Sequence, residues 1–323
     1  MPNEKGVLMF LELTRSVLRA NFWRLYNDLS KLDGLIDSMA GDSEDRINKA
    51  IQSHLNSYSL NMGSIHFKNQ QFSCSIETET YRSHSRICQM VLPAKELGTE
   101  LGDLIVVVDH ILQDSTNTLQ TAKIVGGACS FIQTKKEDLA KKGMSIRQLY
   151  LMTQWPKFQY NGKYWELRLF PDNSSFYLFV LAPSSKQQQK SSLLSSVMLT
   201  RFLGESKKTL LNNIEGTIAL PNIKLVEREP TYNSNMPFTL ASFLLRSLHL
   251  SVGSQSIDAR MFLKDTFFPK MEEVEDCPAI TDSIGTWQSN DYDKRFHKKN
   301  PVNFNNEDSV LAVRFKVIIK RVE

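Results

Sequence analysis

The chain has 323 residues, 41% of them hydrophobic and 23% charged, with a formal net charge of +4 and a pI near 8.7. That balance excludes wholesale disorder, and its mild basic bias is compatible with a polyanionic partner without requiring one. The length calls for two domains or one enlarged α/β domain.

In chain order, apolar residues recur at helical spacing from Val7 to Met39, which predicts one long helix or a helical pair. The apolar run Gly6–Phe10 is followed by Glu12 and Arg15, a core-helix pattern and not a signal peptide, and no run approaches transmembrane length. Ser43 carries N-cap chemistry for a second helix reaching about Leu55. Short runs at 64–67, 72–76 and 87–92 predict strands, with Glu77 and Glu79 on one face of the second. A charged run, Lys136–Lys142, precedes a helix capped by Ser145 and closed by Pro156, with strands expected at 164–170 and 176–181. Pro183–Ser192 is the candidate linker or mobile loop. Beyond it come helical segments at 193–202 and 238–252, strands at 216–220 and 310–322, and a long polar loop at 277–306. That loop carries Lys294-Arg-Phe-His-Lys298-Lys299, basic residues around an aromatic.

The four cysteines, Cys74, Cys88, Cys129 and Cys277, form no C-x-x-C pair and no zinc-ligand spacing with histidine, so they read as reduced thiols of a cytoplasmic protein. There is no phosphate-binding glycine loop, nucleophile elbow, zinc-protease motif or dinucleotide fingerprint. Motor ATPase, serine hydrolase and zinc protease readings lose their main support.

The chemistry concentrates between Glu100 and Lys135. Leu104–Val108 and Ala128–Ile132 have the composition of buried strands; the first opens at Asp103 and the second exits through Gln133-Thr134-Lys135. Strand alternation sends Gln133 and Lys135 one way and Thr134 the other. If the strands are neighbours, Asp103, Gln133 and Lys135 converge. A carboxylate suits Mg²⁺, an amide oxygen can complete its shell, and a lysine beside it can activate water and offset transition-state charge. The chemistry implied is metal-dependent phosphodiester hydrolysis. Glu100 is a candidate second ligand, and Lys123, on the Thr121-Ala-Lys123 run, is the fallback lysine, with Gly126-Gly127 then a turn.

These residues resemble the PD-(D/E)XK nuclease superfamily in its Mrr-like form, an acid followed by Gln-x-Lys, over about residues 43–183. No proline precedes Asp103, and Gln133 stands where Asp or Glu is commoner. The resemblance implies a restriction-endonuclease-like mixed sheet flanked by helices in a nuclease-like domain at 1–183, with a mixed α+β substrate- or partner-binding region at 184–323. It implies Mg²⁺ or Mn²⁺, a DNA substrate before RNA, a bacterial or phage defence role, and a homodimer or a partner protein of a defence complex away from membranes. In many such nucleases a preceding helix adds a glutamate; Glu44 is the nearest candidate, though an acid in a first helical turn is explained by the helix dipole. Gln148 and Tyr150 resemble in position a Gln and Tyr found on the following helix of RecB-like relatives. The alternative, kept open by the neutral Gln133, is a catalytically inactive nuclease-like module that binds nucleic acid or serves assembly.

Overall fold

The computed structural model describes residues 4–39, 41–56, 58–67, 69–83, 87–93, 95–114, 121–135, 144–180, 192–196, 222–223, 239–268 and 310–322. The chain opens with helices α1 (Glu4–Ala20), α2 (Phe22–Ser38) and α3 (Glu44–Leu55). The strands β1 (Ser59–Phe67), β2 (Gln70–Arg82), β3 (Ile87–Leu92), β4 (Lys95–Glu100), β5 (Leu104–Asp114), β6 (Thr121–Lys135) and β7 (Met144–Ser145) follow. Helix α4 (Ile146–Gln154) leads into β8 (Phe158–Tyr160), β9 (Lys163–Trp165), the short α5 (Pro171–Ser174), β10 (Ser175–Phe179), β11 (Ser192–Ser195) and β12 (Asn222–Ile223). Helices α6 (Leu240–Leu248) and α7 (Ile257–Thr266) and strand β13 (Leu311–Val322) complete the described chain.

The N-terminal helical stretch is a pair broken at Asn21, whose side-chain amide donates to the Val17 carbonyl at 3.0 Å. A polar side chain that bonds its own backbone in this way is what disfavours a continuous helix. Leu25, Leu29, Leu32 and Ile36 of α2 are buried at alternating steps of four and three, the stripe that faces a core.

The main sheet has seven strands in the order β1-β2-β13-β5-β6-β10-β11. It is mixed: β13 runs parallel to β5, β10 runs parallel to β6, and the other pairs are antiparallel. Both faces are covered, so the apolar run of β5 splits by alternation. Leu104, Val106 and Val108 join the core under α1, α2, α3 and α6, while Ile105 and Val107 join the core with α4, α7 and the smaller β4-β3-β8-β9 sheet. The result is a mixed α/β architecture with a mixed sheet flanked by helices.

Strand β13 lies between β2 and β5, so one sheet takes strands from both sides of the boundary expected at residue 183. Across the same face Asp109, fully buried, is held by Arg260 of α7 at 2.6 Å and Arg314 of β13 at 2.7 Å. A carboxylate so paired ties helix and strand together, since leaving either guanidinium alone in the core is costly.

Several local expectations change. The 121–123 and 128–135 stretches are one strand, β6, and Gly126 and Gly127 lie inside it, paired with His110 and Asp109. Lys123 therefore sits at the far end of that strand, about 40 Å from Lys135 at strand rise. Strand β9 stops at Trp165, and Pro171–Ser174 is a helical turn. Residues 193–195, expected to begin a helix, belong with Ser192 to a strand that pairs with β10. Glu77 and Glu79 stand on an interior strand, where Glu79 meets Arg314 at 3.3 Å and also pairs with Lys316. The expected strand at 216–220, the loop at 277–306 with its Lys294–Lys299 run, the Lys136–Lys142 run and Cys277 lie outside the described residues.

Candidate functional site

Asp103 is fixed before its side chain makes any contact. Gly102, at φ +145°, turns the chain into β5; a Cβ there would approach the Ile132 carbonyl oxygen to 3.3 Å. The Asp103 N–H then donates to Ile132 O at 2.9 Å, and its own carbonyl accepts from Leu311 N at 3.0 Å. The residue is thus bound through its backbone to the strands on both sides, and its side chain is 1% exposed.

The antiparallel pairing of β5 with β6 places Leu104 opposite Ile132, so the exit of β6 lies beside the entry of β5. Gln133 donates a short hydrogen bond from Nε2 to Asp103 Oδ2, and the same Nε2 lies 3.4 Å from Glu100 Oε2 at the end of β4. The Thr134 N–H donates to Asp103 Oδ2 at 2.8 Å. Gln148, in the first turn of α4, donates from Nε2 to Glu100 Oε2 at 2.9 Å and to Gln133 Oε1 at 2.6 Å. Two carboxylates and two amides therefore form one network, in which Gln133 is wholly buried. Buried polar groups are satisfied in this way because an unmade hydrogen bond there is expensive.

Thr134 points to the opposite face, as alternation requires, and its hydroxyl donates to Asn48 Oδ1 at 2.9 Å on α3. One turn earlier on the same helical face is Glu44, whose Oε2 lies 3.4 Å from Lys135 Nζ. The stem of Lys135 leaves the strand beside Gln133 and carries its ammonium to the N-terminus of α3. The helix cap itself is made by Ser43, whose side chain accepts from Arg46 N at 3.3 Å. Glu44, for which the helix dipole alone was a sufficient account, also meets the catalytic-candidate lysine. Tyr150, two residues past Gln148, packs into the core between the sheet and α4.

Of the residues singled out in the sequence, Asp103, Glu100, Gln133 and Gln148 come together directly, and Lys135 comes together with Glu44. Lys123 does not approach them. Tyr177 was missed: it sits beside Gln133 across the parallel β6/β10 pairing, fully buried. Burial, reinforced by the charges of Glu100 and Asp103, pushes its phenol well above the ordinary tyrosine value. Its only sequence signal is a place in an apolar strand, and the strand's partner cannot be read locally.

Exposure grades across the site. Asp103, Gln133 and Gln148 are buried, whereas the side chains of Lys135 and Glu44 are 17% and 28% exposed. A polar substrate would meet the Lys135 end first. Among the described residues no three of His, Cys, Asp and Glu gather around one point. A cation here would take the Asp103 and Glu100 carboxylates, with an amide oxygen and water making up the shell. That set fits Mg²⁺, which uses one or two carboxylates with waters and substrate phosphates. The amide NH₂ of Gln133, directed at both carboxylates, already marks the spot where positive charge is favoured.

Among the described residues no helix is long and apolar enough to cross a membrane. Cys74, Cys88 and Cys129 are buried free thiols, each pushed up to about 12 by burial. No family model, curated protein or solved structure matches this chain.

Proposed function

We propose that this chain is a metal-dependent nuclease that hydrolyses phosphodiester bonds, with DNA as substrate. The observation that carries the reading is the meeting of Asp103, Glu100 and Gln133 at one end of the sheet, where Lys135, two residues beyond Gln133 on β6, pairs with Glu44. Asp103 and Glu100 would hold Mg²⁺ or Mn²⁺, and an amide turn would present Gln133 Oε1 to it. When bound, the cation supplies Lewis-acid stabilisation of the phosphoryl oxygens.

The protein groups divide the remaining work. Gln148 holds Glu100 through its Nε2 hydrogen bond and gives up its bond to Gln133 Oε1 when that amide turns. Lys135 Nζ orients the attacking water and offsets negative charge building on the phosphoryl oxygens. Glu44, hydrogen-bonded to that ammonium, would accept the proton the water loses. The new P–O bond forms as the bridging P–O bond breaks, and the leaving oxygen takes a proton from solvent, giving a phosphate monoester and a hydroxyl. A place in bacterial or phage defence follows from the motif resemblance alone.

The test is incubation of plasmid DNA with the protein and Mg²⁺, with and without chelator, beside Asp103→Ala and Lys135→Ala. The proposal expects cleavage that needs the divalent ion and disappears in both variants. Cleavage that survives both would remove the site.

One observation favours a second reading. The Gln133 amide bonds Asp103 Oδ2, and the Gln133 and Gln148 amides bond Glu100 Oε2, without any ion, and Gln133 is a neutral ligand. A wild-type protein that cuts with neither Mg²⁺ nor Mn²⁺ but retards DNA in a gel would be a binding or assembly module.

A further inference from the structure

The phenol of Tyr177 is a buried polar group unbonded among the described residues. Its residue is 0% exposed, and its hydroxyl has no hydrogen-bond partner among the described residues. Buried tyrosine hydroxyls normally find one. The ring stacks on Phe179, with centroids 6.3 Å apart, and its strand neighbour is Gln133, so side chains of the two residues project to the same face of the sheet. That face carries the Asp103–Gln133–Glu100 network, and the carboxylate charges of Glu100 and Asp103 act on the phenol. The hydroxyl remains a donor throughout the physiological range.

A donor placed beside two carboxylates but bonded to neither awaits an acceptor that arrives with a ligand. Mg²⁺ and Mn²⁺ bring such acceptors, because Mg²⁺ in particular keeps several of its waters when bound by only one or two carboxylates. We propose that Tyr177 is a positioning residue of the cation site, donating its O–H to the hydration shell of a divalent ion held by Asp103 and Glu100. The inference rests on the cation-site reading above and adds to it the buried inner wall. Partners of this kind fix the shell they bond, and their removal typically costs 10–100-fold in metal affinity or activity.

The experiment is Mn²⁺ binding followed by electron paramagnetic resonance of the free ion, with wild type, Tyr177→Phe and Asp103→Ala, alongside thermal unfolding of the metal-free proteins. Tyr177→Phe is expected to raise the Mn²⁺ dissociation constant about 10-fold or more. Its metal-free melting temperature is expected to equal or exceed that of wild type, because the change deletes a buried unsatisfied hydroxyl. A merely structural tyrosine would give the reverse, a lower melting temperature with unchanged binding, and that result overturns the proposal. Binding by Tyr177→Phe that matches wild type while Asp103→Ala binds nothing overturns the role of Tyr177 and leaves the cation site standing. No Mn²⁺ binding by wild type overturns both.

Discussion

The carboxylate of Asp103 accepts the backbone N–H of Thr134 at 2.8 Å, so the residue between Gln133 and Lys135 is pinned to the acid that opens the neighbouring strand. Asp103→Ala would leave that N–H and the Gln133 amide buried without this acceptor. At roughly 1–3 kcal/mol for each unsatisfied group, a loss of about 2–6 kcal/mol is expected. Asp103→Asn keeps the shape and one acceptor oxygen, so it should cost less stability while cleavage falls as far. Urea midpoints beside plasmid cleavage separate the two effects.

The Lys135–Glu44 pair should behave differently. With side chains 17% and 28% exposed, it is worth only about 0–1 kcal/mol of stability. Lys135→Ala is therefore expected to melt close to wild type while its cleavage rate drops about 10²–10³-fold, the usual loss when one stabiliser of transition-state charge is removed. Single-turnover rates at saturating Mg²⁺ check this.

Gln133→Glu would place a third carboxylate against Asp103 and Glu100 in a buried site. Like charges and burial both raise the folded-state pKa of the new group above about 4.3. The penalty is absent well below that pH, where the group is protonated in both states, and grows as pH rises. Metal-free Gln133→Glu should thus lose stability relative to wild type from pH 5 to pH 8. Added Mg²⁺ should restore more stability to it than to wild type, since ligand stabilisation grows with affinity. Melting curves with and without Mg²⁺ at both pH values decide it.

How much of this arrangement the residues announce depends on distance along the chain. The apolar runs of β5 at 104–108 and of β6 at 128–132 were legible because both faces of the sheet are covered, which demands near-continuous apolar runs, whereas the continuity of β6 through Gly126 and Gly127 was not. Alternation then placed Gln133 and Thr134 on opposite faces, and their partners, Asp103 and Asn48, lie on those two sides. The insertion of β13 between β2 and β5 was not legible, because a parallel pairing between residues 104 and 311 leaves no local trace. The same holds for Tyr177, whose meaning comes from the strand beside it, and for Glu44, whose place in a first helical turn already had a sufficient local reason. Helix α7, expected as nothing in particular, earns its position through Arg260 reaching Asp109 at 2.6 Å.

His110 gives the fold a pH dependence of its own. Its ring is buried on β5 with Nε2 2.7 Å from the Leu248 carbonyl oxygen, so Nε2 donates, and burial lowers its pKa from 6.5 to about 4. The unfolded chain binds this proton more readily than the folded one. Stability from neutral His110 is thus complete above about pH 6.5 and is lost as pH falls toward 4. The gap is worth about 3 kcal/mol. His110→Gln, which can still donate to Leu248, is expected to show a shallower fall in urea midpoint between pH 7 and pH 4.

The most direct measurement is a crystal structure after a Mn²⁺ soak, read by anomalous scattering. The expected result is a peak about 2.0–2.3 Å from carboxylate oxygens of both Asp103 and Glu100, with the Gln133 amide oxygen turned toward it. A fully occupied peak elsewhere, or none here in a protein that still cuts DNA, would contradict the proposed site.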